Sequence, residues 1–194
     1  MSKLTLCIDP GDGMSNRRPG VYDPGATVTV GKQEITEADI VMDWANELKI
    51  QLETLGCKVI RTRINGSDSA PVGERANIAH KYGCLALISL HCNAANGQAN
   101  GTETFYRGEK NAALAKACND AIVKALGMKD RGIKTEAASQ HTRLAVLNFP
   151  TGCLIELGFI DHAADRARMM DQQLMLLACQ NLALSIVTTL KLAR

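Results

Sequence analysis

The sequence has 194 residues, of which 46% are apolar and 22% carry charge. A chain of this size and composition buries enough apolar surface to fold alone, which excludes an intrinsically disordered protein. Its 22 basic and 20 acidic residues leave a net charge of +2, so electrostatics gives no reason to expect a nucleic acid or an anionic membrane as partner. We predict one domain over residues 1–194.

The two ends of the chain bear on targeting. Residues 1–3 lead directly into an apolar strand-like run, without the charged start, long apolar stretch and cleavage site of a secretory signal. Near the carboxyl end, the apolar segment 172–192 is interrupted by glutamine, asparagine and serine, which predicts an amphipathic helix and not a membrane span. We therefore expect a cytoplasmic protein without a membrane partner.

The seven cysteines are spread along the chain, odd in number and without a C-x-x-C pair. This pattern is typical of free thiols that pack as small apolar groups in a reducing cytosol, and it does not indicate a cysteine metal site. The cysteines are Cys7, Cys57, Cys84, Cys92, Cys118, Cys153 and Cys179.

Short β-rich runs alternate with longer helical ones, the pattern of a domain built around a largely parallel sheet. Six strands are predicted, over residues 4–9, 58–61, 85–91, 102–106, 144–147 and 153–157. Helices are predicted over residues 36–55, 72–80, 111–126 and 172–192. The predicted fold class is α/β, with a single twisted, largely parallel six-stranded sheet flanked by helices. The irregular stretches 11–35 and 127–143 are long enough to suggest a function.

Four acidic or imidazole residues lie at strand ends or helix starts, where open α/β sheets place their sites. Asp12 follows the first strand in a glycine-rich turn, and Glu37 opens the long helix. His91 ends an apolar strand, and Glu156 lies within another apolar strand. These four residues are the candidates for chemistry.

Each candidate also has an ordinary structural explanation. Asp12 beside glycine is typical of a turn, and Glu37 in a first helical turn favours the helix dipole. His91 is either a rim residue of the sheet or a ligand. Glu156 is the hardest to explain structurally, because a carboxylate between isoleucine and leucine must be paired, protonated or linked to a metal. Only the joint occurrence of the four indicates a site.

Eight motifs in this order span nearly the whole chain and resemble the zinc-dependent N-acetylmuramoyl-L-alanine amidases of type 3, which include phage endolysins. The motifs are Ile8-Asp9-Pro10-Gly11-Asp12-Gly13, Tyr22-Asp23-Pro24-Gly25-Ala26, Glu37-Ala38-Asp39, Thr62-Arg63, Glu74-Arg75-Ala76-Asn77, Ser89-Leu90-His91-Cys92-Asn93-Ala94, Gly101-Thr102-Glu103 and Ile155-Glu156-Leu157-Gly158-Phe159-Ile160. Any one motif is weak evidence, whereas eight with suitable spacing are strong evidence.

The resemblance implies that the partner is peptidoglycan and that the bond cleaved joins N-acetylmuramic acid to L-alanine. It also implies that Glu37 and His91 ligate Zn²⁺, and that Glu156 is the general base and acid. A catalytic zinc commonly keeps three protein ligands and one open position, at which water becomes acidic enough to attack an amide. A neighbouring carboxylate can take the proton of that water and pass it to the leaving amine.

The sequence departs from the family pattern at Asp12, where the family has histidine. Aspartate is a legitimate zinc ligand, so Asp12, Glu37 and His91 form the predicted metal site. A second anionic ligand leaves less positive charge to acidify water, so we expect weaker zinc affinity or slower catalysis. The additional oxygen also favours harder metals such as manganese.

Three further residues are weighed against simpler explanations. By resemblance, Glu103 contacts either the substrate or the residues that bind the metal. The alternative is a carboxylate that is simply exposed to solvent on its strand. His141 lies in a polar loop and is a candidate substrate contact, although loop histidines are often without function. For His162, which follows the last motif, we favour no functional role.

The resulting prediction is a monomeric amidase catalytic domain without a separate wall-binding domain. As a phage-type endolysin, it would stay in the cytoplasm until a separate membrane-lesion protein releases it to the cell wall. The alternative is a catalytically impaired peptidoglycan-binding protein on the same fold, with catalysis lost through Asp12. Nucleotide and nucleic-acid binding are set aside, because the turn at residues 9–13 lacks the G-x-G-x-x-G spacing and the Lys-Ser/Thr of a phosphate loop.

Overall fold

The computed structural model describes residues 3–192, with ten strands and five α-helices in this range. The strands are β1 (Thr5–Pro10), β2 (Gly13–Met14), β3 (Tyr22–Asp23), β4 (Thr27–Val30), β5 (Gln33–Thr36), β6 (Lys58–Arg61), β7 (Ala86–Asn93), β8 (Thr102–Tyr106), β9 (Asp130–Thr135) and β10 (Gly152–Phe159). The helices are α1 (Glu37–Thr54), α2 (Arg75–Lys81), α3 (Ala112–Leu126), α4 (Ala163–Met170) and α5 (Gln172–Leu192). Short 3₁₀ helices cover Val72–Glu74, Glu109–Asn111, Glu136–Ala138 and Ala145–Asn148.

Six strands form the central sheet in the order β6-β1-β7-β10-β8-β9. The strands β6, β1, β7 and β10 are parallel to one another, and β8 pairs antiparallel with β10. The last strand, β9, pairs parallel with β8. The predicted α/β fold class with a largely parallel six-stranded sheet is confirmed.

The two faces of the sheet are covered unequally. Because side chains alternate along a strand, Leu6 and Ile8 of β1 enter the larger core that α1, α3 and α5 cover. Cys7 points to the other face and joins a smaller core with α2 and the 3₁₀ helix Ala145–Asn148. His91 lies four residues after Leu87 of the smaller core, and Glu156 lies two residues after Leu154. Since alternate residues of a strand point to the same face, both side chains lie on this second face.

Helix α1 begins where a side chain satisfies one of its first backbone N–H groups. The hydroxyl of Thr36 accepts a hydrogen bond from the backbone N–H of Asp39 at 3.2 Å, the usual N-cap contact. Trp44 anchors the middle of α1, because its ring is fully buried and its Nε1 donates to the carbonyl of Met169 at 2.9 Å. The cap and the anchor fix Glu37 at the start of the helix.

Helix α5 is long and apolar enough, by length and composition, to cross a membrane. In the structure it packs against α1 and α3, and its inner side belongs to the larger core. This packing accounts for its apolar composition as that of a core helix. Its fully buried residues include Ala178, Cys179, Leu182, Ala183 and Ile186.

The predicted strand over residues 144–147 is wrong, because the segment Ala145–Asn148 is a 3₁₀ helix that buries Val146 and Leu147. A run of four apolar residues does not distinguish a strand from a helical turn. The sixth strand is instead β9, which lies in the stretch 127–143 that was predicted to be irregular. Its charged sequence lacks the apolar alternation of a strand, and charged residues are common in strands at the edge of a sheet.

Three other segments also differ from the sequence-based prediction. The predicted helix 72–80 is a 3₁₀ turn followed by α2, and α4 was not predicted. The stretch 11–35 contains the pairs β2–β3 and β4–β5. These hairpins bring residues 12–26 over the end of the central sheet, where the candidate residues lie.

Candidate metal and amidase site

The turn after β1 presents Asp12 in a constrained conformation. Asp12 has a φ of 56°, in the left-handed region that non-glycine residues seldom adopt, and its side chain is buried. Arg63 holds the turn, because its Nη2 donates to the carbonyl of Gly11 at 2.6 Å and its Nε donates to Pro10 at 3.0 Å. Arg75 Nη2 donates to the carbonyl of Asp12 at 2.8 Å. Two buried guanidinium groups thus fix the backbone of this turn.

A buried ion pair anchors Arg75 in turn. Its Nη1 lies 2.6 Å from Oδ1 of Asp9, and both side chains are at most 2% exposed. Ser89 Oγ donates to Asp9 at 2.6 Å, and Thr62 Oγ1 donates at 2.5 Å. Burial alone would raise the pKa of Asp9, but Arg75 and the two hydroxyl donors hold that pKa below its usual value. Asp9 therefore stays ionised beneath the site.

Glu37 faces the end of β7 from the first turn of α1. Its Oε1 accepts from the backbone N–H of Cys92 at 2.8 Å and lies 2.9 Å from Nδ1 of His91. Its Oε2 accepts from the backbone N–H of Ala26 at 2.8 Å. Burial opposes ionisation, but the histidine contact and the two amide donors lower the pKa of Glu37 below its usual value.

Two glycines lie where a side chain would collide with the cluster. A Cβ on Gly11 would be 2.3 to 2.7 Å from ring atoms of His91. A Cβ on Gly25 would be 2.5 Å from Oδ2 of Asp12 and 2.6 Å from Oε2 of Glu37, and the φ of Gly25 is +68°. These glycines let the backbone close around the three polar side chains.

Asp12, Glu37 and His91 each offer a ligand atom, and these atoms all lie within 4.8 Å of one another. Burial raises the pKa of Asp12 to about 7, with the negative charges of Glu37 and Asp23 adding to that effect. Burial would lower the pKa of His91, but Glu37 and Asp12 raise it to about 10. Both shifts have the direction expected where buried carboxylates concentrate negative charge, which a proton or a metal cation would offset. One imidazole and two carboxylates form a donor set that suits zinc.

Glu156 stands next to this cluster on the sheet. It is the register partner of His91 in the parallel pair β7–β10, so the two side chains point to the same face. Its Oε2 is shielded from solvent and has no hydrogen-bond partner within residues 3–192. Burial raises the pKa of Glu156 to about 8, and the nearby carboxylates of Glu37 and Glu103 contribute to this increase. An unpaired carboxyl group with a pKa near neutrality is suited to proton transfer.

The model of the N-acetylmuramoyl-L-alanine amidase family matches residues 6–188, which cover the turn, the helix start and both strands of the cluster. The chain belongs to this family. The amidase LytC of Bacillus subtilis is 28% identical over 172 residues, which are 85% of this chain and 31% of LytC. The chain thus spans about a third of that relative's length.

Two solved catalytic domains share the fold. The catalytic domain of CwlV, an N-acetylmuramoyl-L-alanine amidase from Bacillus (Paenibacillus) polymyxa var. colistinus, superposes with a TM-score of 0.81 at 23% identity, over 97% of this chain and 98% of that domain. The catalytic domain of the CD27L endolysin, which targets Clostridia difficile, has a TM-score of 0.70 at 25% identity, over 95% of this chain and 97% of that domain.

Glu103 lies on the opposite side of Glu156 from His91, as its register partner in β8. Its oxygens accept from Asn93 at 2.8 Å, Arg131 at 2.7 Å and Lys134 at 2.5 Å. Burial would raise the pKa of Glu103, but Lys134 and Arg131 hold it below its usual value. With its lone pairs engaged, Glu103 supplies fixed negative charge beside Glu156, and a substrate contact by Glu103 stays a prediction.

A cleft of about 550 Å³ opens above these residues in the amidase-family chain. Asp12, Glu37, His91 and Glu156 line it, and so does the exposed side chain of His141. His162 lies elsewhere, where its Nδ1 accepts from the backbone N–H of Asp165 at 3.3 Å and caps α4. That contact gives His162 a structural role.

Sequence reasoning did not single out Asn16, Asp23, Arg63 or Arg75 as parts of the site. Three of these residues, Asp23, Arg63 and Arg75, fall within motifs that contain no predicted ligand, so their charged side chains in those motifs were the available signal. Asn16 lies outside every motif and contacts Asp12 only because the turn folds back on itself. The structure thus adds residues whose hydrogen bonds hold the predicted ligand Asp12 and its turn in place.

Proposed function

We propose that this chain hydrolyses the amide bond between N-acetylmuramic acid and L-alanine in peptidoglycan, with Zn²⁺ held by Asp12, Glu37 and His91. The observation that carries the proposal is the convergence of these three ligands within 4.8 Å beside the unpaired carboxyl group of Glu156. Membership of the amidase family and the likeness to LytC support the choice of substrate.

When bound, zinc supplies Lewis acidity, which polarises a carbonyl oxygen and lowers the pKa of water. The shielded and unpaired Oε2 of Glu156 marks the place where a residue of this chain can hold the transferred proton. In the proposed reaction, Glu156 accepts a proton from the attacking water and donates it to the nitrogen of L-alanine as the amide bond breaks. Its position next to His91 keeps the carboxyl group beside the metal ligands.

Asp12 makes this site more anionic than one with two histidines. Less net positive charge remains to favour ionised water, so we expect slow hydrolysis at neutral pH. Oxygen-rich sites also accept harder divalent ions, so activity with Mn²⁺ is expected beside activity with Zn²⁺.

The biological setting is a further part of the proposal. We infer a monomeric endolysin-type amidase that acts on the wall after release from the cytoplasm, with residues 1–194 as one catalytic domain. The structural likeness to the catalytic domain of the CD27L endolysin supports this role. Lysis of host cells on expression with and without a membrane-lesion protein tests it.

Incubation of the purified protein with isolated peptidoglycan tests the proposed reaction. Amidase action creates free α-amino groups on L-alanine without new reducing sugar ends, and both products are measured on the same digest. We expect amino ends only, with loss of release after chelation and recovery on addition of Zn²⁺. Sedimentation with the wall without new ends of either kind would instead support the alternative of a peptidoglycan-binding protein.

A further inference from the structure

Asn16 connects the support behind the turn to the proposed metal site. It is buried, and both the oxygen and the nitrogen of its side-chain amide form hydrogen bonds. Its Oδ1 accepts from Nη2 of Arg75 at 3.1 Å. Its Nδ2 donates to Oδ1 of Asp12 and to Oδ2 of Asp23, each at 2.9 Å. The two hydrogens of one amide nitrogen thus serve two carboxylates.

The orientation of this amide is determined by its neighbours. A guanidinium group can only donate, so the oxygen of Asn16 must face Arg75 and the nitrogen must face the carboxylates. Arg75 cannot turn away, because Asp9 holds its other nitrogen at 2.6 Å. A flipped amide would place two donors together on one side and three oxygens together on the other. Asn16 therefore presents a fixed N–H donor to Asp12.

This donor decides which oxygen of Asp12 is available. Oδ1 of Asp12 is engaged by Asn16, whereas Oδ2 lies 3.7 Å from Nδ1 of His91 and next to Gly25. We propose that Asn16 is a positioning residue that makes Asp12 a zinc ligand through Oδ2 alone. This inference rests on the metal site of the proposed function and adds the residue that orients its unusual ligand.

The donor character of Asn16 suits aspartate at position 12 and not histidine. A neutral imidazole that binds a metal through one nitrogen carries a proton on the other, and that N–H needs an acceptor. Asn16 offers an N–H at this place and cannot rotate without losing Arg75. Replacement of Asp12 by histidine therefore gains little zinc affinity while Asn16 is present, and it gains more when the amide is removed.

A double-mutant cycle on Zn²⁺ affinity, measured by competition with a chromogenic chelator, tests the inference without relying on catalysis. The four proteins are the wild type, Asn16→Ala, Asp12→His and the double variant. In the wild-type background, Asn16→Ala should weaken Zn²⁺ binding about 10- to 100-fold, the usual effect of losing a partner that orients a ligand. In the Asp12→His background, the same change should leave the affinity unchanged or improve it.

Asn16→Leu serves as a second variant, since it removes the same hydrogen bonds but keeps the side-chain volume and thus the packing of the turn. Thermal unfolding of each protein separates loss of folding from loss of the donor. An equal weakening of Zn²⁺ binding in both backgrounds, or none in either, would overturn the role of Asn16. A wild-type protein that binds no Zn²⁺ would contradict the proposed metal site itself, which is a different result.

Discussion

The residues that line the cleft differ in burial. We call the buried set Asp9, Asp12 and Arg75 the inner wall, and the exposed set His141 and Arg143 the outer wall. On the inner wall, the ion pair of Asp9 and Arg75 is almost completely buried, and the turn at Asp12 receives hydrogen bonds from two arginines. On the outer wall, His141 and Arg143 are exposed, and Thr142 between them has a φ of 54°. The proposed chemistry thus lies on the buried side, and we expect substrate contacts on the exposed side.

This difference separates the expected effects of mutation. Removal of one partner from a buried ion pair leaves an uncompensated charge and costs about 3–5 kcal/mol of stability. A single hydrogen bond typically contributes only about 0.5–1.5 kcal/mol. Changes to the inner wall should therefore alter catalysis, metal binding or folding, and changes to the outer wall should alter substrate affinity alone.

The largest effect is expected for Glu156→Gln, which keeps the shape of the side chain but removes the proton acceptor. Loss of general acid–base catalysis should lower the release of amino ends about 10²- to 10⁴-fold. Zn²⁺ content and melting temperature should change little, because Glu156 is assigned to proton transfer. The exposed Glu109 provides the matched control, and Glu109→Gln should keep full activity. Retention of most activity by Glu156→Gln would place the base elsewhere.

A large loss of stability is expected for Arg75→Met. The substitution leaves the buried carboxylate of Asp9 without its cation, so the free energy of unfolding should fall by about 3–5 kcal/mol. Lys116→Met is the control, because Lys116 pairs with Asp120 on the exposed side of α3 and its loss should leave the melting temperature unchanged. Similar unfolding curves for the two variants in urea would refute the contrast between buried and exposed pairs.

The pH dependence of Asp9 sharpens the same contrast. Because the folded-state pKa of Asp9 lies below its unfolded value of about 3.9, its contribution to stability is complete above that pH. The contribution is lost as the pH falls through the lowered folded pKa, where wild-type Asp9 becomes neutral. The difference in unfolding free energy between the wild type and Asp9→Asn should therefore be constant from pH 7 to about 5 and shrink in stronger acid. An increase in this free-energy difference as the pH falls would contradict a lowered folded-state pKa for Asp9.

The smallest effect is expected for His141→Ala on the outer wall. Loss of one exposed contact of about 0.5–1.5 kcal/mol should raise KM about two- to tenfold and leave kcat and the melting temperature unchanged. Kinetics on a soluble muramyl-peptide separate the two constants. A fall in kcat at constant KM would give His141 a part in the chemistry.

The sequence predicted elements well where the hydrophobic pattern was long or bounded by turns. The strand at 58–61 and the helix at 172–192 agree with β6 and α5 residue for residue. The edge strand β9 was missed, because only Ile133 is a large apolar residue in it and its pairing with β8 is a tertiary contact. The hydrophobic periodicity of a short segment cannot reveal a strand whose conformation depends on pairing with one neighbouring strand.

The candidate ligands were predictable because each lies at an element end within a recognisable motif. Their support was not predictable, since the contacts are distant in sequence. Arg75 reaches Asp9 across 66 residues and Asn16 across 59 residues. The hydrogen bonds that orient Asp12 depend on the path of the turn after β1, and no local pattern specifies that path.

Anomalous diffraction at the zinc absorption edge, from crystals grown with one equivalent of Zn²⁺, shows directly whether Asp12, Glu37 and His91 bind zinc. We predict a single strong peak in contact with Asp12, Glu37 and His91, with the carboxyl group of Glu156 beside it. A zinc peak away from these three residues, or none at them when zinc is bound in solution, would contradict the proposed metal site.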